Sequence, residues 1–273
     1  MGFGHSVPDS RFVGILRAIE AKAAMMIRKD TIALQNRTTL VAGMVAMVVT
    51  SVAGFANAGD ADPVTTSVVV AAPPDPWSGT YVGGNLGYAF GGDDSVGHRD
   101  ASGNLVSSPG LLKPGGGNFG LRLGWRNAGG AGSTAYGFEL SVDGGGIEDE
   151  FSAQGYSGSV RLNSAVSLRF KPGRISSSGE MLYYGIVGVT RGNFDYALAG
   201  GSQGDTIQLN SEFDSTGYVL GLGLERQLEG NWSVFSELEY TQFGSEVLYD
   251  ANRASTKATP KYTNLKVGVN FSF

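Results

Sequence analysis

Eleven charged residues recur at even separations within short alternating stretches: Arg122, Arg126, Glu139, Asp143, Arg161, Arg169, Arg191, Glu225, Glu237, Glu239 and Lys266. Successive side chains of a strand point to opposite faces, so even separations place the charges of one stretch on one face. Gathered in a dry interior, such groups must pair, because an unpaired buried charge is very costly. Two kinds of chemistry are open to them. They can form an ion-pair plug that rigidifies the interior, or a gate that exchanges partners and opens a narrow pore. Roughly eight strands close around an interior that side chains can fill, which favours the plug.

Other candidate chemistry is weaker. Gly83-Gly84-Asn85-Leu86-Gly87 lacks the spacing and following helix of a phosphate loop. The acidic stretch Asp143 to Glu150 lacks EF-hand spacing and reads as a solvated loop. His98 has Ser95, Asp100 and Ser102 nearby in a Gly-containing loop. Nothing there fixes a catalytic geometry, so a solvated loop histidine is expected. With no Cys there is no disulfide framework and no thiolate metal site. No catalytic residue, metal or cofactor is expected.

The elements that position the charges are eight alternating segments. The first spans 77–90, with Val82, Gly84, Leu86, Tyr88 and Phe90 on one face. The second, 118–126, sets Phe119, Leu121, Leu123 and Trp125 against Arg122 and Arg126. The third, 136–143, sets Tyr136, Phe138, Leu140 and Val142 against Glu139 and Asp143. The fourth, about 158–170, sets Val160, Leu162, Val166, Leu168 and Phe170 against Arg161 and Arg169. The fifth, about 181–191, is apolar on both faces; the preferred assignment turns Leu182, Tyr184, Ile186 and Gly188 outward and Arg191 inward. The sixth, 216–226, opposes Tyr218, Leu220, Leu222 and Leu224 to Glu225. The seventh, 232–242, opposes Trp232, Val234, Leu238 and Tyr240 to Glu237 and Glu239. The eighth, 263–273, alternates Thr, Leu, Val, Val, Phe, Phe with a polar face carrying Lys266.

The opening Trp77-Ser-Gly-Thr-Tyr-Val-Gly-Gly-Asn-Leu-Gly-Tyr88 and the terminal Phe273 resemble the small outer-membrane barrels of the opacity-type and OmpA-like family, including the porin-family proteins of α-proteobacteria. The resemblance spans the alternating region end to end, its middle carried by pattern more than by wording. It implies an all-β, eight-stranded antiparallel up-and-down transmembrane β-barrel. It also implies that Val269, Phe271 and Phe273 form the signal read by the barrel-assembly machinery. Glu225 matches a sixth-strand Glu of OmpA-like barrels. The seventh strand departs from opacity-type relatives, which often carry an Arg near the positions of Phe235 or Glu239.

Alternation alone leaves open which face is inside; in a soluble lipocalin-like barrel the apolar face lines the interior. Gly at many polar-face positions, mixed acids and bases on that face, and two girdles of aromatics favour lipid outside. One girdle is Trp125, Tyr136, Phe170, Trp232 and Phe273; the other is Tyr88, Phe90, Phe119, Tyr218 and Tyr240. Connections after odd segments (91–117, 144–157, 192–215, 243–262) are long and polar, whereas those after even segments (127–135, 171–180, 227–231) are shorter. That asymmetry matches external loops and periplasmic turns.

Residues 39–55 are apolar and uncharged, follow Arg28, Lys29 and Arg37, and lead to Ala56-Asn57-Ala58. This is the order of a secretory signal peptide, cleaved at Ala56-x-Ala58. The leader is then 1–58, with Met25 or Met26 as the alternative start, followed by a Pro-rich periplasmic lead-in over 59–76 and the barrel over 77–273. Net charge is −5, and −8 without the leader, which excludes a nucleic-acid binder. Mean hydropathy of −0.04 is compatible with a barrel, since alternation cancels in the average. The barrel closes the chain at Phe273, so no peptidoglycan-binding domain is expected after it. The expected protein is a non-enzymatic outer-membrane monomer serving envelope integrity and surface contact, with outer-membrane lipid and lipopolysaccharide as its surroundings. A diffusion channel proper and a lipid-modifying enzyme acting through His98 are the alternatives.

Overall fold

The computed structural model describes residues 76–202 and 204–273. The leader over 1–58, its cleavage residues Ala56 and Ala58, and the lead-in before Pro76 lie outside the described residues. Twelve strands run β1 Gly79–Phe90, β2 Asp94–Arg99, β3 Leu105–Leu112, β4 Gly116–Ala128, β5 Thr134–Ala153, β6 Tyr156–Ile175, β7 Met181–Ser202, β8 Asp205–Gln227, β9 Trp232–Phe243, β10 Glu246–Tyr249, β11 Ser255–Ala258 and β12 Lys261–Ser272. Eight of them close a barrel in the order β1-β12-β9-β8-β7-β6-β5-β4. The ring closes where β1 pairs antiparallel with β4, from Gly79 opposite Arg126 to Ala89 opposite Gly116. The other four form a sheet in the order β10-β11-β2-β3.

The connections after odd segments are therefore strand rather than long loops. β5 and β6 meet at Gln154-Gly155, both with positive φ (55° and 76°). That is the two-residue hairpin whose twist suits its flanking strands. Ser202 pairs with Asp205 across an equally short turn. Apolar alternation continues through both hairpins, in Ile147, Phe194, Tyr196, Leu198, Ile207 and Leu209, and these residues are buried.

The small sheet repeats the ring order. β10 follows β9, β11 precedes β12, β2 follows β1 and β3 precedes β4. The lid sheet is thus one half of the barrel wall continued upward, and the extended β5–β8 hairpins are the other half. Above the barrel the two halves face each other as a sandwich. Its core joins Val96, Leu112, Leu248 and Ala258 of the lid to Val160, Leu162, Phe194, Tyr196 and Leu198 of the wall. Two matching turns hold the lid tips: Asp100 accepts from the Ser102 and Asn104 amides, and Asp250 from the Asn252 and Ala254 amides.

Two strand faces differ from the sequence expectation. In β6 the ladder to β7 skips from Leu162 to Ser164, leaving Asn163 as an extra residue. A bulge of this kind reverses the phase of alternation. Val166 and Leu168 face outward as expected, but Val160 and Leu162 turn into the sandwich core and Arg161 turns out. In β7 the phase is opposite to the preferred assignment: Leu182, Tyr184 and Ile186 are buried while Tyr183, Val187 and Val189 are exposed. β7 runs unbroken into Phe194, Tyr196 and Leu198, and burying those residues fixes the inward phase of the lower strand too.

Elsewhere the outer face of the barrel is apolar. Leu222 is 71% exposed and Val267 53%, so the apolar face is not the lumen. Trp125 packs on Tyr136, and Phe271 on both Trp232 and Phe273, near the end with the short turns. Tyr218 lies beside Tyr240 at the other end of the apolar band.

Candidate functional site: the charged lumen

The interior has three storeys. At the end with the short turns, Trp77, Ala135, Ile175, Leu182, Tyr184 and Ile186 form an apolar floor. Trp77 donates its indole N–H to the Gly179 carbonyl at 2.7 Å. The sandwich core is the apolar ceiling. Between them lie the charges.

Arg122 engages Glu237 through two parallel hydrogen bonds of 3.0 Å, and its Nη1 lies 3.4 Å from Glu139. Such bidentate pairs fix orientation as well as energy. Its guanidinium carbon sits 3.8 Å above the Phe235 ring. Lys171 bridges Glu139 at 2.6 Å and Glu237 at 2.8 Å. The Tyr81 hydroxyl donates to Glu139 at 2.9 Å and the Tyr184 hydroxyl to Glu237 at 2.8 Å. Arg169 contacts Glu139, Asp143 and Glu239, each at 3.2 Å. Lys266 joins Asp143 and Glu239, each at 3.0 Å. Nearer the floor, Arg126 pairs with Glu225 at 2.8 Å, and Glu225 also accepts from Ser233. Arg126 further donates to Ser272 Oγ at 3.0 Å and stacks on Trp77 and Tyr81.

Five cations (Arg122, Arg126, Arg169, Lys171, Lys266) thus meet five anions (Glu139, Asp143, Glu225, Glu237, Glu239), and the cluster is formally neutral. Glycine makes the room. A Cβ on Gly124 would fall 2.2 Å from the Tyr81 ring, and one on Gly223 would fall 2.4 Å from the Tyr184 ring. Both tyrosines lie across those glycines to reach their carboxylates.

Nine of the eleven sequence candidates sit in this cluster. Arg161 and Arg191 do not. They lie on the outer wall, where Arg161 pairs with Glu148 and Arg191 with Asp214. The bulge at Asn163 accounts for Arg161, and the continuous phase of β7 accounts for Arg191. Lys171 joins the cluster from one residue beyond the 158–170 segment, on the parity of Arg169. The seventh strand carries no Arg near Phe235 or Glu239, and cations from other strands stand there: Arg122 covers Phe235, while Arg169 and Lys266 hold Glu239.

His98 is not a solvated loop residue. It lies on the inner face of β2, fully buried, with Nδ1 2.9 Å from the Tyr156 hydroxyl. Ser95 faces outward and Asp100 caps its own turn, so no catalytic triad assembles. The acidic stretch is split: Asp143 enters the lumen, Glu148 pairs with Arg161, and Asp149 accepts the Lys113 amide. Among the described residues, no three or more His, Asp or Glu are grouped to hold a metal.

Comparison with known proteins agrees with this architecture. The chain is 24% identical over 263 residues to the 31 kDa outer-membrane immunogenic proteins of Brucella melitensis and Brucella suis, covering 87% of this chain and 100% of each relative. The outer membrane protein OprG of Pseudomonas aeruginosa matches in fold with a TM-score of 0.50 at 13% identity, over 72% of this chain and 96% of that one. The profile described as "Outer membrane protein beta-barrel domain" matches residues 63–273. That match spans most of the chain, and the chain belongs to this family of outer-membrane β-barrel proteins.

Proposed function

We propose that this outer-membrane protein is a sealed, non-enzymatic barrel that stiffens the envelope and presents a rigid sandwich for contact at the cell surface. The carrying observation is the vertical order of the interior: apolar ceiling, neutral ion-pair lumen, apolar floor. An ion crossing it must break buried charge pairs and then enter two dry layers, and each step is strongly unfavourable. His98, buried against the Tyr156 hydroxyl, is read here as part of the sandwich core. The Brucella relatives are named as immunogenic; surface presentation of this sandwich is the corresponding reading here. Outer-membrane lipid and lipopolysaccharide are its proposed surroundings. Val269, Phe271 and Phe273, at the end of the closing strand, are proposed to engage the assembly machinery.

The test is conductance in planar bilayers, using protein whose folding is verified by heat-modifiable gel mobility. The expected result is silence over repeated insertions. Reproducible unitary steps from the folded form would overturn the sealed reading in favour of a channel.

A further inference from the structure

The two outer faces of the sandwich are chemically different. On the lid, Leu105, Leu111, Val247 and Tyr249 are exposed, at 47–65%. Pairing puts Tyr249, Ser255, Arg99 and Leu105 in one row across the sheet, with Val247 beside Lys257 in the next. Arg99 and Lys257 have no ion-pair partner among the described residues. Four exposed apolar side chains on a sheet in water mark an interaction surface. The outer face of the wall is its complement. Glu150, Ser159, Ala197 and Asn210 stand in one row. There the surface dips into a shallow groove of about 450 Å³, lined by small side chains including Ser157, Ser159, Ala197 and Ala199. Glu150 at its rim and Asp195 beside it have no ion-pair partner among the described residues.

We propose that the lid of one copy docks against the wall of the next copy in the same membrane, joining folded monomers into rows. Three features point to a second copy. The faces are opposite in charge, cationic on the lid and anionic on the wall. They are opposite in shape, with Leu105 and Tyr249 projecting and the wall groove receiving. They also stand at the same height. Phe243 pairs with Gly217; Tyr249 lies six residues beyond Phe243 toward the tip, and Asn210 seven beyond Gly217. The two faces point away from each other, so copies of equal orientation can meet lid to wall by translation alone. Such a contact is head-to-tail and does not close. Four short strands present only about 300–400 Å² of sheet, at the weak end of specific contacts. Confinement to one plane and one orientation raises the effective concentration enough for such a contact to matter.

The sequence contains no Cys, so introduced thiols report alone. Val247→Cys on the lid and Ser159→Cys in the groove are placed singly and together, and intact outer membranes are treated with a bis-maleimide. The expected result is a ladder of dimers and higher species from the double variant and monomers from each single variant, with heat-modifiable mobility retained in all three. Lys257→Glu in the double variant should reduce the ladder at least threefold while mobility stays unchanged. Dimers from Val247→Cys alone, cross-links to a different protein, or no ladder from folded double variant would each overturn the proposal, as would a ladder indifferent to Lys257→Glu. None of these outcomes bears on conductance, so failure here is distinct from failure of the sealed reading.

Discussion

At the scale of single residues the lumen is a set of shared debts rather than separate pairs. Glu237 holds Arg122 twice, Lys171 once and the Tyr184 hydroxyl once. Without it, Arg122 and Lys171 must share Glu139, which already serves Arg169 and Tyr81. Removing one partner of a buried charge cluster typically costs about 3–5 kcal/mol. Glu237→Ala should destabilise the folded barrel by about that much. Urea titration in lipid vesicles and the temperature at which the unboiled gel form converts would both register it. Arg161→Ala is the contrast. Its side chain and that of Glu148 are 60% and 50% exposed, and such surface pairs are worth about 0–1 kcal/mol. A loss as large as that of Glu237→Ala would mean that Arg161 is not on the outer wall. Most lumen charges were legible because each sits on a strand whose opposite face is plainly apolar. The outer-wall position of Arg191 was not legible, because 181–191 is apolar on both faces and carries no phase of its own.

At the scale of elements, the decisive feature is a change of phase. Below Asn163 β6 turns its apolar residues out to lipid; above it, the apolar residues turn in to the sandwich core. β5 has a matching shift between Gly144 and Ile147. The sequence carried one trace of this. Ser164 interrupts the apolar register of Val160, Leu162, Val166 and Leu168. A single small polar residue is common in strands, however, and a bulge has no reliable signature of its own. The hairpins were obscured for a related reason. Outside the membrane the outward face is polar, so the stretches look like loops unless the inward alternation of Phe194, Tyr196 and Leu198 is followed. Deleting Asn163 makes inward Leu162 and outward Ser164 consecutive, so regular alternation then keeps Val160 and Leu162 in the core and Arg161 outside, with the β6 to β7 ladder unbroken. The expected outcome is heat-modifiable mobility and trypsin resistance at Arg161 on intact cells equal to the parent's. Rapid cleavage at Arg161 in the deletion would mean that Asn163 is required for the upper pairing and is not merely an extra residue.

At the scale of the whole molecule, the sandwich and the barrel are one continuous wall that changes its contents, and Asp94 sits where the contents change. It is buried at the base of β2, between the ionic lumen and the apolar ceiling, and its carboxylate accepts the Thr259 amide at 3.0 Å. Lys257, Lys261 and Tyr196 are its charged or titratable neighbours. Burial disfavours the carboxylate and outweighs the Thr259 hydrogen bond and the two lysines, so its pKa is pushed up to about 6. A carboxyl whose pKa is raised by folding favours the closed form when protonated. Its stabilising contribution is complete below the ordinary carboxylate pKa near 4 and is lost as pH rises through about 6. The lid should therefore seat more firmly at pH 5 than at pH 7. Asp94→Asn keeps an acceptor for the Thr259 amide without the buried charge, so it should hold the lid firmly at both values. Amide exchange at Val96 and Leu248, corrected for the intrinsic rate, reads this directly. Protection in the parent should rise about tenfold between pH 7 and pH 5, with little change in Asp94→Asn or in the barrel amides near Leu222. Protection that falls on acidification would mean that the Asp94 carboxylate, with Lys257 and Lys261, clamps the lid instead of loosening it.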